Sequence, residues 1–291
     1  MSKNVGSVVA QFTKKYMPEI IKASSTFKAK DYKQALHDAF MEIDKRLQSA
    51  EGKNELEKIN AADTNKISPM LETPDAKELA NYVGCTSCVA LITRNEIYVA
   101  NAGDSRCVLA RGGIAINMSE DHKPDQEREK ERIKKAEGYV EDNRVNGVIN
   151  LSRSLGDLDY KQNKKLSAEE QMIIAKPDIR VEKLTKECDF LILACDGIWD
   201  CVSSQGAVDF IREQIAKSAF KMAKPLKLSQ TIEALFEKII ASDVESSGNL
   251  LISKRTRWNR LRQYDLCSGA LRSSLSLNKD LRYYFISMSF F

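Results

Sequence analysis

The chain has 291 residues, of which 43% are hydrophobic and 30% are charged, and its formal net charge at neutral pH is +4. No apolar stretch approaches the length of a membrane span, and no apolar run follows Met1 to act as a secretory signal, so we expect a cytoplasmic or nuclear protein without a membrane segment. The seven cysteines are an odd number without a secretory signal, which indicates reduced thiols and not a disulfide framework.

The first part of the chain predicts two amphipathic helices followed by a loop. Apolar residues recur at helical spacing from Val8 to Ile20 and from Tyr32 to Leu47, with a connection near Ser24 to Lys30. Residues 49–80 are polar and contain two prolines, which predicts a flexible loop before the first strands.

Two predicted strands lead to carboxylates. The β-rich segment from Glu96 runs through a glycine to Asp104, and the apolar run from Phe190 ends at Asp196, with Asp200 shortly after it. A continuous apolar run of strand length is typical of a strand covered on both faces, so the charge of Asp196 should meet a cationic partner. Carboxylates are hard oxygen ligands suited to Mg²⁺ or Mn²⁺, and such ions lower the pKa of water enough to form hydroxide near neutral pH. The two strand ends therefore suggest one metal site with hydrolytic chemistry.

A purely structural role is the commoner outcome for an aspartate beside a glycine. In that interpretation Asp104 pairs with Arg106, while Asp196 and Asp200 cap turns. Spacing alone favours this structural role, so the choice depends on the motifs around the carboxylates.

Cys85 and Cys88 have the spacing of a redox or zinc pair, but packing is the favoured interpretation. Their segment is predicted as a strand, in which residues three apart point to opposite faces, and no second Cys-x-x-Cys pair completes a zinc site. His37 lies in a helical pattern and His122 precedes a Lys-Pro pair at a helix start, so neither is assigned as an acid, a base or a ligand.

The charged and helical segments that follow are assigned to solvent and packing. Residues 123–137 alternate in charge, which predicts a solvated helix with neighbouring ion pairs. Helical patterns return at residues 204–217 and 228–241.

Seven short motifs occur in a fixed order along the chain. They are Gly84-Cys-Thr-Ser, Ala102-Gly-Asp-Ser-Arg106, Asp121-His-Lys-Pro124, Arg144-Val-Asn-Gly147, Leu151-Ser-Arg-Ser-Leu-Gly-Asp157, Lys176-Pro-Asp178 and Ala194-Cys-Asp-Gly-Ile-Trp-Asp200. Together they resemble the metal-dependent protein serine/threonine phosphatases of the PP2C (PPM) family, from about Val5 to Asp243. The resemblance implies an α+β fold, a β-sandwich of two antiparallel sheets flanked by helices on both outer faces. It also implies attack of a water, activated by two bridged metal ions, on phosphoserine or phosphothreonine in phosphoprotein substrates.

On the matching positions, the resemblance implies metal ligands but no catalytic residue. Asp196 corresponds to a ligand of the two central metal ions. Asp104 and Asp200 correspond to ligands of an additional Mg²⁺ or Mn²⁺, or to partners of such ligands. The family's first acidic motif and its Asp-Gly-His-Gly-Gly motif precede the helix that begins here near Val5, where the chain has no residues. We therefore expect an incomplete two-metal site in a monomer that is impaired or inactive as written. The alternative is a catalytically dead relative that binds or regulates phosphoproteins.

The segment 157–176 corresponds to the variable flap beside the family's active site. Its residues Lys161, Lys164 and Lys165 could contact an anionic phosphopeptide, although a lysine-rich exposed loop is equally expected for solubility. Arg153 and Asp157 are predicted to be structural and to hold the segment that enters the flap.

The C-terminal segment departs from the family pattern after Gly248. The pattern calls for Gly-x-Asp-Asn-Met-Thr and a final apolar strand, whereas residues 249–291 hold eight basic and two acidic residues. Codons for residues 258–270 can be chosen so that a shift of one nucleotide gives Gly-Thr-Gly-Cys-Asp-Asn-Met-Thr and an apolar strand. We interpret residues 1–248 as a partial phosphatase domain, incomplete at both ends, and residues 249–291 as an out-of-frame basic tail that is unfolded.

Nucleic-acid binding by the basic tail is the least favoured function. Neither an aromatic platform nor a groove-reading motif accompanies its charge, so we expect no nucleic-acid partner.

Overall fold

The computed structural model describes residues 7–62, 75–220, 228–246 and 282–286. Its helices are α1 (Val8–Ala23), α2 (Ser25–Lys28), α3 (Tyr32–Gln48), α4 (Ala50–Ala62), α5 (Leu79–Tyr82), α6 (Glu127–Lys135), α7 (Asp196–Trp199), α8 (Ser204–Phe220) and α9 (Leu228–Ser246), with 3₁₀ helices at Ala76–Glu78 and Leu158–Lys161. Its strands are β1 (Gly84–Cys85), β2 (Ser87–Ile92), β3 (Glu96–Ala102), β4 (Arg106–Arg111), β5 (Ile114–Asn117), β6 (Val140–Glu141), β7 (Arg144–Val145), β8 (Leu155–Gly156), β9 (Asp178–Lys183), β10 (Cys188–Ala194) and β11 (Arg282–Ile286). None of the helices in these ranges is long and apolar enough to cross a membrane.

Helices α1 and α3 confirm the two predicted amphipathic helices. Their apolar faces are buried in one cluster, in which Phe12 and Phe40 are almost completely enclosed. Asp31 caps α3, because its carboxylate accepts a hydrogen bond from the backbone N–H of Gln34 at 3.1 Å.

The prediction of a loop over residues 49–80 is wrong at both ends, because Ala50–Ala62 form α4 and residues 76–80 belong to a 3₁₀ helix and the start of α5. The hydroxyl of Ser49 accepts a hydrogen bond from the backbone N–H of Gly52 at 3.0 Å and caps this helix. Gly52 and Leu56 are its buried residues, so most of the helix faces solvent and its polar sequence resembles that of a loop. Residues 63–74 lie outside the described residues.

Two antiparallel sheets form a sandwich, which confirms the predicted α+β fold. One sheet has the order β11-β2-β3-β9 and the other has the order β10-β4-β5. Apolar side chains of β2, β3, β4 and β10 meet between the sheets. Helices α1 and α3 cover the outer face of the first sheet, and α8 and α9 cover the outer face of the second. The layers are therefore helices, sheet, sheet and helices.

The packing interpretation of Cys85 and Cys88 is confirmed. Cys85 lies in the cluster beneath α1 and α3, whereas Cys88 lies in the cluster between the sheets. Both are buried and outside any disulfide; Cys85 ends β1 and Cys88 lies in β2, and their side chains enter different clusters.

Strand β10 is less buried than its apolar sequence predicts. Every residue from Phe190 to Ala194 keeps part of its surface exposed, and β10 pairs only with β4 within the described part of the chain. Both faces of β10 are covered as expected, because Phe190 and Ile192 pack against the cluster beneath α8 and α9, while Leu191 and Leu193 pack against the cluster between the sheets. Its partial exposure follows from its position as an edge strand of the described sheet.

The structure describes one short piece of the predicted tail, Arg282–Ile286. These residues form β11, which pairs with β2 so that Arg282 lies opposite Ile92 and Ile286 lies opposite Cys88. The expectation of an unfolded tail is wrong for these five residues. The rest of residues 249–291 lies outside the described residues, where the expectation stays a prediction.

Candidate metal centre

Strand register brings Asp104 and Asp196 to the same edge of the second sheet. Strands β10 and β4 are antiparallel, and Ala194 at the end of β10 lies opposite Arg106 at the start of β4. Asp196 follows Ala194 by two positions, and Asp104 precedes Arg106 by two positions. The two strand ends that the sequence singled out are thus neighbours.

Gly103 makes the turn that buries Asp104. Its φ is +114°, which L side chains rarely adopt, and a Cβ at this position would lie 2.3 Å from the Cγ2 atom of Thr86. The backbone N–H of Gly103 donates to Nδ1 of His122 at 3.1 Å, and Nε2 of His122 lies 3.2 Å from Oδ2 of Asp178. Both ring nitrogens are engaged, so His122 supports the turn and does not act as a metal ligand here.

The two carboxylate oxygens of the fully buried Asp104 have different environments. Oδ2 accepts a hydrogen bond from the ammonium group of Lys123, whereas Oδ1 has no hydrogen-bond partner among the described residues. Burial raises the pKa of Asp104 to about 6, against the charge of Lys123, which lowers it, and with the charge of Asp196, which raises it further. An orphaned buried oxygen of this kind is expected where an ion or a water binds.

Asp196 and Asp200 lie at opposite ends of the single turn α7. Oδ1 of Asp196 accepts a hydrogen bond from the backbone N–H of Gly197 at 2.8 Å, and the carbonyl of Asp196 accepts one from the backbone N–H of Asp200 at 2.7 Å. The side chain of Asp200 is exposed. Asp121 is the main cause of the raised pKa of Arg106, and the charge of Asp200 adds to it. The structure thus brings Asp196 beside Asp104 and leaves Asp200 at the surface.

The alternative in which Asp104 pairs with Arg106 is wrong. Nε and Nη2 of Arg106 donate to the two carboxylate oxygens of Asp121 at 2.9 and 2.8 Å, and its guanidinium lies 5.3 Å from the ring of Trp199. The cationic partner of Asp104 is Lys123, which the sequence analysis placed in a solvated charge run. The available signal was the motif at residues 121–124, which supplies both of these partners.

Helix α6 is also less solvated than predicted. Glu129 is fully buried, and its carboxylate accepts hydrogen bonds from Arg153 at 2.6 Å and from Arg132 at 2.5 Å. Arg153 also donates to Oδ1 of Asp178 at 2.8 Å. Burial opposes the ionisation of Glu129, but hydrogen bonding to Arg153 and the charge of Arg132 lower its pKa to about 2. The charge run at residues 123–137 therefore contains a buried ion network that periodicity did not reveal.

One flap lysine is unavailable to a substrate. Lys161 binds the carboxylate of Asp44, and its side chain is only 7% exposed. Asp157 at the start of the flap is buried, its carboxylate accepts a hydrogen bond from the hydroxyl of Ser154, and burial raises its pKa to about 6. The structural role of Asp157 stays a prediction. Lys164 and Lys165 are exposed and stay candidates for contact with an anionic peptide.

The described residues supply part of a coordination sphere for a divalent ion. The oxygens of Asp104 and Asp196 suit Mg²⁺ or Mn²⁺, and Oδ1 of Asp104 is an unsatisfied oxygen that such an ion would satisfy. Across residues 7–62, 75–220, 228–246 and 282–286, no group of three or more His, Cys, Asp or Glu side chains could hold a metal ion. The pair therefore fits one ion completed by water, and these residues alone do not form a two-ion site.

Comparisons with known proteins agree with one another. The sequence profile described as "Protein phosphatase 2C" matches residues 1–248. The chain is 41% identical to "Probable protein phosphatase 2C 21" of Arabidopsis thaliana, over 85% of this chain and 74% of that protein. It is 39% identical to "Probable protein phosphatase 2C 4" of Paramecium tetraurelia, over 83% of this chain and 74% of that protein. A solved phosphatase from a pathogenic strain of Toxoplasma gondii aligns with a TM-score of 0.58 and 21% identity, over 81% of this chain and 77% of that one, which supports the fold.

Proposed function

The chain belongs to the protein phosphatase 2C family of metal-dependent serine/threonine protein phosphatases, and from this membership we propose that it hydrolyses phosphoserine and phosphothreonine in proteins with Mg²⁺ or Mn²⁺. The observation that supports ion binding is the unpartnered Oδ1 of the buried Asp104 beside Asp196. Asp104 and Asp196 are ion ligands in this proposal. Asp200, exposed one turn after Asp196, is the candidate for an additional ion.

The roles of the chain's own residues follow from their positions. A divalent ion supplies, when bound, a water of lowered pKa for attack on phosphorus. Gly103 and His122 fix the turn that carries Asp104, and the register of β10 on β4 holds Asp196 beside it. Because both ring nitrogens of His122 are engaged, we do not assign His122 as a general acid or base.

A second candidate function is phosphoprotein binding without hydrolysis. Two observations favour it. Lys123 already neutralises Asp104, and a cluster of three potential ligands is absent from the described part of the chain. The exposed Lys164 and Lys165 would then contact the phosphate through charge alone.

Phosphate release from a phosphothreonine peptide separates the two functions. We expect release by the full chain to require Mn²⁺ or Mg²⁺ and to stop with a chelator. Loss of an ion-site partner commonly costs roughly 10- to 100-fold in metal affinity or activity, so D196N should lose at least this much. The matched control D209N, at an exposed aspartate of α8, should retain full activity.

Two outcomes would contradict hydrolysis at this site. They are release that is unaffected by the chelator and release that is unaffected by D196N. Saturable binding of the phosphopeptide without any release would favour the second function.

A further inference from the structure

Lys123 places an ammonium group against the carboxylates that the proposed function assigns to a divalent ion. Its Nζ donates a hydrogen bond to Oδ2 of Asp104, which is fully buried, while the Lys123 side chain itself stays 34% exposed. The charge of Asp196 acts on both groups. The ammonium group therefore offsets the cost of burying a carboxylate at this position.

The loop that carries Lys123 is anchored on the turn before Asp104. His122 accepts a hydrogen bond from the backbone N–H of Gly103 at its Nδ1 atom, and the backbone N–H of His122 donates to the carbonyl of Gly103 at 3.0 Å. Next to it, Asp121 forms the bidentate pair with Arg106. Because these contacts fix the adjacent backbone, the approach of Lys123 to the carboxylate is part of the fold.

A divalent ion at the carboxylate pair would meet this positive charge. Oδ1 of Asp104 has no hydrogen-bond partner among the described residues, but an ion there would share the carboxylate with the ammonium group of Lys123. Like charges a few ångströms apart repel one another strongly where solvent screening is reduced. Ion binding therefore requires either displacement of the ammonium group or acceptance of the repulsion, and both reduce the affinity.

We propose that Lys123 is a built-in competitor of the divalent ion. In the ion-free protein it offsets part of the negative charge of Asp104 and Asp196, and it raises the ion concentration at which the site fills. The proposal rests on the proposed function, because it takes these two aspartates as ion ligands.

Mn²⁺ binding to the full chain, measured by isothermal titration calorimetry on chelator-treated protein, tests the proposal. K123M removes the charge and keeps an unbranched side chain, and K134M removes an exposed lysine of α6 as the matched control. We expect K123M to bind Mn²⁺ at least about tenfold more tightly than the wild type, because a like charge has left the site. K134M should match the wild type.

Thermal unfolding supplies a second readout. Without an ion, K123M should unfold at a lower temperature than the wild type, because the buried carboxylate of Asp104 has lost its counter-charge. Mn²⁺ should then raise the unfolding temperature of K123M more than that of the wild type. If K123M does not fold without an ion, K123Q carries the same comparison, since its neutral amide can still donate to Asp104.

The outcomes distinguish this proposal from the function on which it rests. In D104N/K123M the gain in affinity should vanish, since the carboxylate that binds the ion is gone. If the wild type binds Mn²⁺ and the folded K123M binds it equally or more weakly, the proposed role of Lys123 is overturned. The assignment of the ion site is then unaffected. Absence of Mn²⁺ binding by the wild type and by every variant overturns both.

Discussion

Two buried carboxylates, Glu129 and Asp104, are stabilised in opposite ways at the scale of single residues. Glu129 has three arginine side chains within 3.3 Å, and its pKa falls to about 2. Asp104 has one lysine contact and an oxygen without a hydrogen-bond partner among the described residues, and its pKa rises to about 6. The first carboxylate is satisfied and structural, whereas the second retains capacity for a ligand.

Replacement of Glu129 by glutamine tests the structural role of the ion network. Removing one partner of a buried ion pair leaves the other uncompensated, so we expect E129Q to lower the free energy of unfolding by about 3 kcal/mol or more. E131Q, at an exposed position of the same helix, should change it by less than about 0.5 kcal/mol. Urea unfolding of both variants measures the difference, and equal losses would contradict the assignment.

The pH dependence of E129Q follows from the direction of the pKa shift. The pKa of Glu129 is lowered from its ordinary value of 4.5 to about 2, so the folded state binds fewer protons than the unfolded state in this interval. The stabilisation from Glu129 is therefore present above about pH 4.5 and is lost as the pH falls toward 2. The difference in free energy of unfolding between wild type and E129Q should therefore decrease as the pH falls from 4.5 to about 2. A difference that stays constant would contradict the lowered pKa of Glu129.

The sequence predicted the residues of the carboxylate pair better than their partners. Asp104 and Asp196 could be found because each follows a predicted strand closely. Lys123 lies 19 positions from Asp104 and reaches it only because the loop at His122 folds back on Gly103. Such a contact depends on tertiary structure and leaves no periodic signal in the sequence.

At the scale of elements, predictability depended on how much of each element is buried. Helices α1 and α3 each bury a full apolar face, and their periodicity was readable. Helix α4 buries Gly52 and Leu56 alone and was missed. Its close packing is concentrated at Gly52, where a Cβ would lie 1.7 Å from the carbonyl oxygen of Arg46 at the end of α3.

Replacement of Gly52 by alanine should destabilise the protein, whereas a glycine-to-alanine change in a helix usually stabilises it. Alanine in a helix interior is ordinarily more favourable than glycine by about 1 kcal/mol. Here the added methyl group would collide with backbone, so α4 must move away from α3 and we expect G52A to lower the unfolding temperature. In G206A of α8 the nearest atom to the new Cβ would be 3.1 Å away, so the unfolding temperature of that variant should stay closer to that of the wild type. A rise in unfolding temperature for G52A would refute the close approach.

At the scale of the whole molecule, the family resemblance predicted the layered architecture. It did not predict which strands lie at the edges of the two sheets. The continuously apolar sequence at residues 190–194 correctly predicted a strand covered on both faces, but it did not indicate that this strand lies at an edge of the described sheet. Arg282–Ile286 form a strand beside β2 within a segment that the out-of-frame interpretation assigned to an unfolded tail. Sequence pattern reports the tendency to be buried, and pairing depends on which neighbours are present.

The nucleotide sequence tests the interpretation of residues 249–291. We expect the codons of residues 258–270, read one nucleotide later, to encode Gly-Thr-Gly-Cys-Asp-Asn-Met-Thr followed by apolar residues. Codons that cannot encode these residues would contradict the out-of-frame interpretation and would favour β11 as a native part of the sheet.

The most direct test of the ion site is a crystal structure of the chain with Mn²⁺, in which anomalous scattering locates the ion. We predict a peak that contacts one carboxylate oxygen of Asp104 and one of Asp196 at about 2.1 Å, the distance typical of Mg²⁺ and similar hard ions. The assignment would be contradicted if, at saturating Mn²⁺, no ion contacted Asp104 or Asp196 and Asp104 still accepted the hydrogen bond from Lys123.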